Sequence, residues 1–125
     1  MKICKKHFGI LTFTIILSIG LFSCNDSQDL KTRLSKIRDT EITAIESDSL
    51  FTETYDVRFM QPLDHNNPDY GHFKQRVIIN HVGFDRPTVV VLEGYDLYST
   101  KAGELSKLLN ANQITIEHRF YGESQ

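Results

Sequence analysis

Cysteine is nearly absent: the 125 residues hold two, Cys4 and Cys24, both near the start. Cys4 lies in what reads as a removable leader, so no thiol pair is left and a disulfide framework is excluded. Metal-binding spacings (HxH, HExxH, CxxC) are missing as well. Glu117 and His118 are neighbours in a strand-like run, where adjacent side chains point to opposite faces and cannot easily share an ion. No metal and no other cofactor is expected. Surplus positive charge is lacking too, with 14 Lys and Arg against 16 Asp and Glu and a formal net charge of -2. The basic run Lys31, Arg33, Lys36 and Arg38 has no aromatic residues interleaved, so it reads as a solvated face, and nucleic acid is not expected as a partner. No internal repeat or low-complexity tract occurs.

What is present begins with an export pattern. Lys2, Lys5 and Lys6 precede an uncharged apolar run from Phe8 to Phe22, too short and wrongly flanked to cross a membrane comfortably. Leu21-Phe22-Ser23-Cys24 then resembles a bacterial lipobox. We therefore expect residues 1–24 to be a lipoprotein signal ending at a lipidated Cys24, with membrane attachment in the bacterial cell envelope. Several acyl chains on one cysteine give stable anchoring where a single chain would not. Asn25, Asp26 and Asp29 suit a polar exit from that anchor. Residues 25–50, rich in Ser, Thr, Asp and Lys, read as a tether; Leu30, Leu34, Ile37, Ile42 and Ile45 give it a loose helical period and room for one short helix.

From residue 51 the texture changes, and 51–125 reads as the globular part. Phe51, Glu53, Tyr55, Val57 and Phe59 alternate with polar residues, which predicts a half-buried strand. A turn dense in Pro, Asn, Asp and Gly runs from Gln61 to Gly71, and a second alternating run from His72 to His81 predicts an antiparallel hairpin. The continuous apolar run Thr88–Leu92 predicts a strand covered on both faces in a parallel sheet. A helix capped by Ser99 or Thr100 should follow, with Ala102, Leu105, Leu108 and Leu109 on one side and Asn110 as its stop, and then a strand from Gln113 to Glu117. A hairpin leading into a right-handed strand–helix–strand crossover predicts an α/β fold, the N-terminal portion of an α/β-hydrolase.

Chemistry in such a sheet sits at the carboxyl ends of the strands. Glu93-Gly94-Tyr95 follows the third strand of that layout, where the loop supplies a backbone N–H to an oxyanion hole, so Gly94 and Tyr95 are the oxyanion-loop candidates. The alternative is that Gly94 is an ordinary turn glycine. Glu117, with Glu93 as the other acid, is expected to pair with Arg119 as a structural ion pair, because a buried charge at a sheet edge needs a partner. Gly122-Glu123-Ser124-Gln125 resembles the start of a GxSxG elbow, but the second glycine and the helix of that motif are not there. Ser124 is therefore not assigned as nucleophile, and no catalytic residue is assigned. His65 reads as a turn residue, and His72 and His81 as exposed strand-end residues.

Several landmarks agree in order: Phe59-Met60-Gln61-Pro62-Leu63-Asp64-His65, Phe73-Lys74-Gln75-Arg76-Val77, Phe84-Asp85-Arg86-Pro87, Glu93-Gly94-Tyr95, Leu105-Ser106-Lys107-Leu108, Asn112-Gln113-Ile114, and Glu117-His118-Arg119 with Glu123-Ser124. Together they resemble the bacterial prolyl tri/tetrapeptidyl aminopeptidases, serine peptidases with an α/β-hydrolase core. The resemblance implies release of short N-terminal peptides from a proline-containing peptide substrate, by acyl transfer through a Ser-Asp-His triad. It also implies that the triad lies downstream of the matched segment, so the chain is expected to be the opening part of such an enzyme. The prolyl carboxypeptidases and dipeptidyl peptidases share the Gln-Pro-Leu-Asp-His and Glu-His-Arg-Phe-Tyr-Gly-Glu-Ser patterns and are the alternative. A third reading is a small lipoprotein that binds peptide or envelope components without catalysis.

Overall fold

A computed structural model describes residues 29–125. The signal segment and Cys24 lie outside the described residues. The elements in order are α1 (Leu30–Leu34), β1 (Thr40–Ile45), β2 (Glu53–Pro62), a short 3-10 turn (Pro68–Tyr70), β3 (His72–His81), β4 (Thr88–Leu92), α2 (Glu104–Leu109) and β5 (Asn112–Ile116). The five strands form one mixed sheet in the order β1-β2-β3-β5-β4. All neighbours are antiparallel except β4 and β5, which run parallel. Among the described residues no helix is long and apolar enough to cross a membrane.

The predicted hairpin is there, with Pro62 opposite His72 at its turn end and Glu53 opposite His81 at the other. Its alternation buries Tyr55 and Val57 on one face, where Leu30 and Leu34 of α1 cover them together with Ile42 and Ile79. Asp29 caps α1 by accepting the Thr32 N–H at 2.8 Å. The described part of residues 25–50 is therefore folded onto the sheet, and the tether reading is corrected for it. Ile42 and Ile45 fit a helical spacing, but in β1 residues an odd number apart face opposite sides. The segment reads as polar because β1 is an edge strand that spends one face on solvent. His81 is a second correction: it is buried, with its ring 4.5 Å from that of Phe84.

Tyr55 carries a pH signature. Its hydroxyl donates to Glu53 Oε2 at 2.7 Å, and that bond, reinforced by burial, pushes the phenol from 10.0 up to about 12. A raised folded pKa means the contribution is complete below pH 10 and is lost as pH climbs from about 10 to about 12. An alkaline titration followed by circular dichroism should lose structure in that window, and Tyr55→Phe should flatten the step.

β4, α2 and β5 form the crossover. Asn112 fixes the entry to β4: its Oδ1 accepts the Val82 N–H (2.7 Å) and Gly83 N–H (3.2 Å), and its amide donates to Gly83 O. The helix stops at Asn110, which takes the left-handed conformation at φ 48°. Its start differs from expectation. α2 begins at Glu104 with Gly103 at the cap position, not Ser99 or Thr100, and Gln113 Oε1 accepts both the Gly103 N–H and the Ser106 hydroxyl at 2.8 Å. Ser106 thus faces the sheet, while Leu105, Leu108 and Leu109 are 54%, 81% and 47% exposed. β4 is not covered on both faces either. β5 inserts between β3 and β4, which leaves β4 as the border strand with Val90 and Leu92 exposed. In the described residues this is a mixed, strand-rich sheet with few helices.

Candidate functional site

The strand β5 alternates in an unusual way. Ile114 and Ile116 are half-buried on one face, whereas Gln113, Thr115 and Glu117 make a fully buried polar row on the other. Buried polar groups must find partners, and each does. Gln113 holds the start of α2, as above, and its amide also donates to Thr115 Oγ1. Glu117, 1% exposed, lies one residue past β5 and organises the end of the sheet.

Its two carboxylate oxygens serve two different loops. Oε1 accepts the Leu97 N–H at 3.0 Å from the β4–α2 connection. Oε2 accepts the Glu123 N–H (3.0 Å) and the Ser124 hydroxyl (2.8 Å) from the turn that follows β5. That turn comes back over the carboxylate because Phe120 and Gly122 have positive φ, 67° and 48°. At Gly122 a Cβ would run into Glu117 Oε1, 2.9 Å from the carboxyl carbon and 3.3 Å from Asp96 Oδ1, so only glycine fits.

The counter-charge is Arg76, not Arg119. Arg76 Nη1 lies 3.8 Å from Glu117 Oε1, and its Nε donates to Asp56 Oδ2 at 2.9 Å. Arg58 approaches Asp56 Oδ1 at 3.5 Å and reaches Glu123 at 2.9 Å. Charges therefore alternate along Glu117, Arg76, Asp56, Arg58 and Glu123, which ties β2, β3 and the terminal turn together. Arg119 instead donates to Leu63 O at 2.7 Å and lies over the rings of Phe120 and Phe73, 4.6 and 5.2 Å from their centroids. Glu93 makes no ion pair among the described residues; its backbone N–H donates to Ile116 O. The expected Glu93 and Glu117 pairings with Arg119 are corrected in this way. Adjacency in the chain suggested Arg119, but the antiparallel pairing of β3 with β5, with Val77 opposite Ile116, sets Arg76 beside Glu117.

Ser124 is fully buried. Its oxygen accepts the Arg76 N–H at 3.0 Å while its hydroxyl donates to Glu117, so it is a tie within the turn. His118 Nδ1 is engaged with Arg119 O at 2.9 Å and does not meet it. The described residues assemble no Ser-His-Asp constellation.

Gly94 and Tyr95 fall in the exposed loop directly after β4. Three contacts fasten this loop to the end of β5: Glu93 N–H to Ile116 O (2.9 Å), His118 N–H to Tyr95 O (3.2 Å), and Leu97 N–H to Glu117. Between these points no acceptor among the described residues takes the N–H of Gly94 or Tyr95, and a Cβ added at Gly94 would meet nothing within 4 Å. The Tyr95 ring meets Tyr121 edge-on at 5.3 Å, and Tyr121 meets His118 likewise at 5.2 Å. An open cleft of about 250 Å³ lies alongside, lined by Leu92, Glu93, Ile116, Glu117, His118, Arg119 and Gln75. A backbone N–H donor on a fastened loop near a cleft can hold an oxygen that develops negative charge.

A prolyl tri/tetrapeptidyl aminopeptidase of Streptomyces mobaraensis is 37% identical over 68 residues, which are 54% of this chain and 14% of that protein. The chain thus matches about a seventh of its curated relative's length. The family described as PS-10 peptidase S37 matches residues 24–125, which include the whole sheet and its terminal turn. With a match across most of its length, this chain belongs to the S37 family of peptidases.

Proposed function

We propose that this chain is the opening part of an exported, lipid-anchored serine aminopeptidase that releases short peptides from proline-containing substrates. The observation that carries the reading is the family match over residues 24–125, joined to the Gly94 and Tyr95 N–H groups just past β4, which have no acceptor among the described residues. A hairpin followed by a parallel crossover also supports an α/β-hydrolase core. In this reading Gly94 and Tyr95 lend N–H groups to the oxyanion hole. The nucleophile, acid and histidine belong to the polypeptide beyond the matched segment, and residues 29–125 act as scaffold for them. Cys24 carries the lipid that holds the enzyme at the cell envelope.

The test is expression of the full-length coding region in a bacterial host. The enzyme should sediment with membranes and release a tri- or tetrapeptide from a chromogenic substrate with proline at the cleavage position. Cys24→Ala should appear in the soluble fraction with the activity retained. Absence of any proline-directed release from the folded protein would reject the proposal.

A further inference from the structure

We infer that Glu117 is a positioning residue for the reaction: its carboxylate sets the Gly94 and Tyr95 donors by holding the Leu97 N–H. The inference rests on the reading of that loop as the oxyanion loop. Of the three points that fasten residues 93–97 to the end of β5, two are backbone bonds and would survive any side-chain change. The third is the bond from Leu97 to Glu117 Oε1 at 3.0 Å, made in a buried place by a group that is only 1% exposed. Glu117 is itself immobilised from the other side, by Glu123 N–H, the Ser124 hydroxyl and the Arg76 guanidinium. A buried carboxylate with four partners is a fixed point, and the loop hung on it inherits that rigidity. Oxyanion donors act by preorganisation, so a displacement of about 1 Å, far from the reacting bond, costs on the order of 100-fold in rate.

The experiment compares the full-length peptidase with Glu117→Gln, normalising every rate to titrated active sites. Gln keeps one carbonyl oxygen and so cannot serve both loops. We expect kcat per site to fall by about 10- to 100-fold with KM changed by less than about threefold. The affinity of a peptidyl-proline boronate, whose tetrahedral adduct occupies the oxyanion site, should fall by the same factor as kcat. A purely structural role would lower the number of active sites and leave kcat per site and boronate affinity unmoved; that result overturns the inference. Should Glu117→Gln not fold, replacing the Leu97 amide by an ester removes only the N–H, and the same loss of kcat and boronate affinity is required. Unchanged kcat in the ester variant overturns the inference while leaving the proposed function standing. A wild-type protein that folds and cleaves no peptide overturns both.

Discussion

Gly122→Ala is expected to be among the most damaging substitutions of a surface residue in this protein. A non-glycine residue in the left-handed region costs about 1–2 kcal/mol. Here the new methyl also meets the Glu117 carboxylate and would push it off partners that include Leu97, Glu123 and Ser124. Each buried group left without a partner adds about 1–3 kcal/mol, so a total near 3–5 kcal/mol is expected. Chemical denaturation of the full-length enzyme measures it. Gly94→Ala is the internal control: nothing lies within 4 Å of its added methyl, and its stability should stay within about 0.5 kcal/mol of wild type. Equal losses at the two glycines would contradict the structure of the terminal turn.

The second large effect is expected at Glu117. Alanine there strands the Leu97 and Glu123 N–H groups, the Ser124 hydroxyl and one side of Arg76, which should cost about 3–5 kcal/mol. The partner can be identified at the same time. A double-mutant cycle between Glu117 and Arg76 should show a coupling of about 0.5–3 kcal/mol, since removing Arg76 takes a counter-charge from the buried Glu117. The cycle between Glu117 and Arg119 should be additive, because Arg119 spends its charge on Leu63 O and two aromatic faces. Coupling to Arg119 in place of Arg76 would refute the ion-pair assignment.

Much of the sheet was legible because its signals are local. Period-two alternation marked β2 and β3, a Pro-Asn-Gly-rich turn joined them, and Asn110 announced the end of α2. What escaped the sequence depended on partners distant along the chain. β1 is half polar since one side of an edge strand faces water, and its value appears only once Leu30, Leu34 and Ile42 are seen closing over Tyr55 and Val57. The leucines of α2 predicted the wrong face. Gln113, a polar residue on a buried row, attracts Gly103 and Ser106 and so turns the helix with its leucines outward. The signal that could have exposed this was the polar row Gln113, Thr115 and Glu117 alternating with Ile114 and Ile116. Arg76 was likewise recoverable from the register of β3 against β5, but not from neighbours in sequence.

The candidate site was readable in a similar, partial way. Gly94 and Tyr95 stand at the predicted strand end, and Glu117 is indeed the buried acid there. The function of the terminal turn was not readable. A serine two residues after a glycine suggests a nucleophile, and only its burial and its bonds to Glu117 and Arg76 identify Ser124 as a tie.

The most direct measurement is active-site labelling of the full-length enzyme with a fluorophosphonate, followed by peptide mapping. The account predicts one labelled serine, outside residues 29–125, with Ser124 unmodified. A phosphonyl adduct on Ser124 would show that the buried turn is the reaction centre, and the scaffold reading of this segment would be wrong.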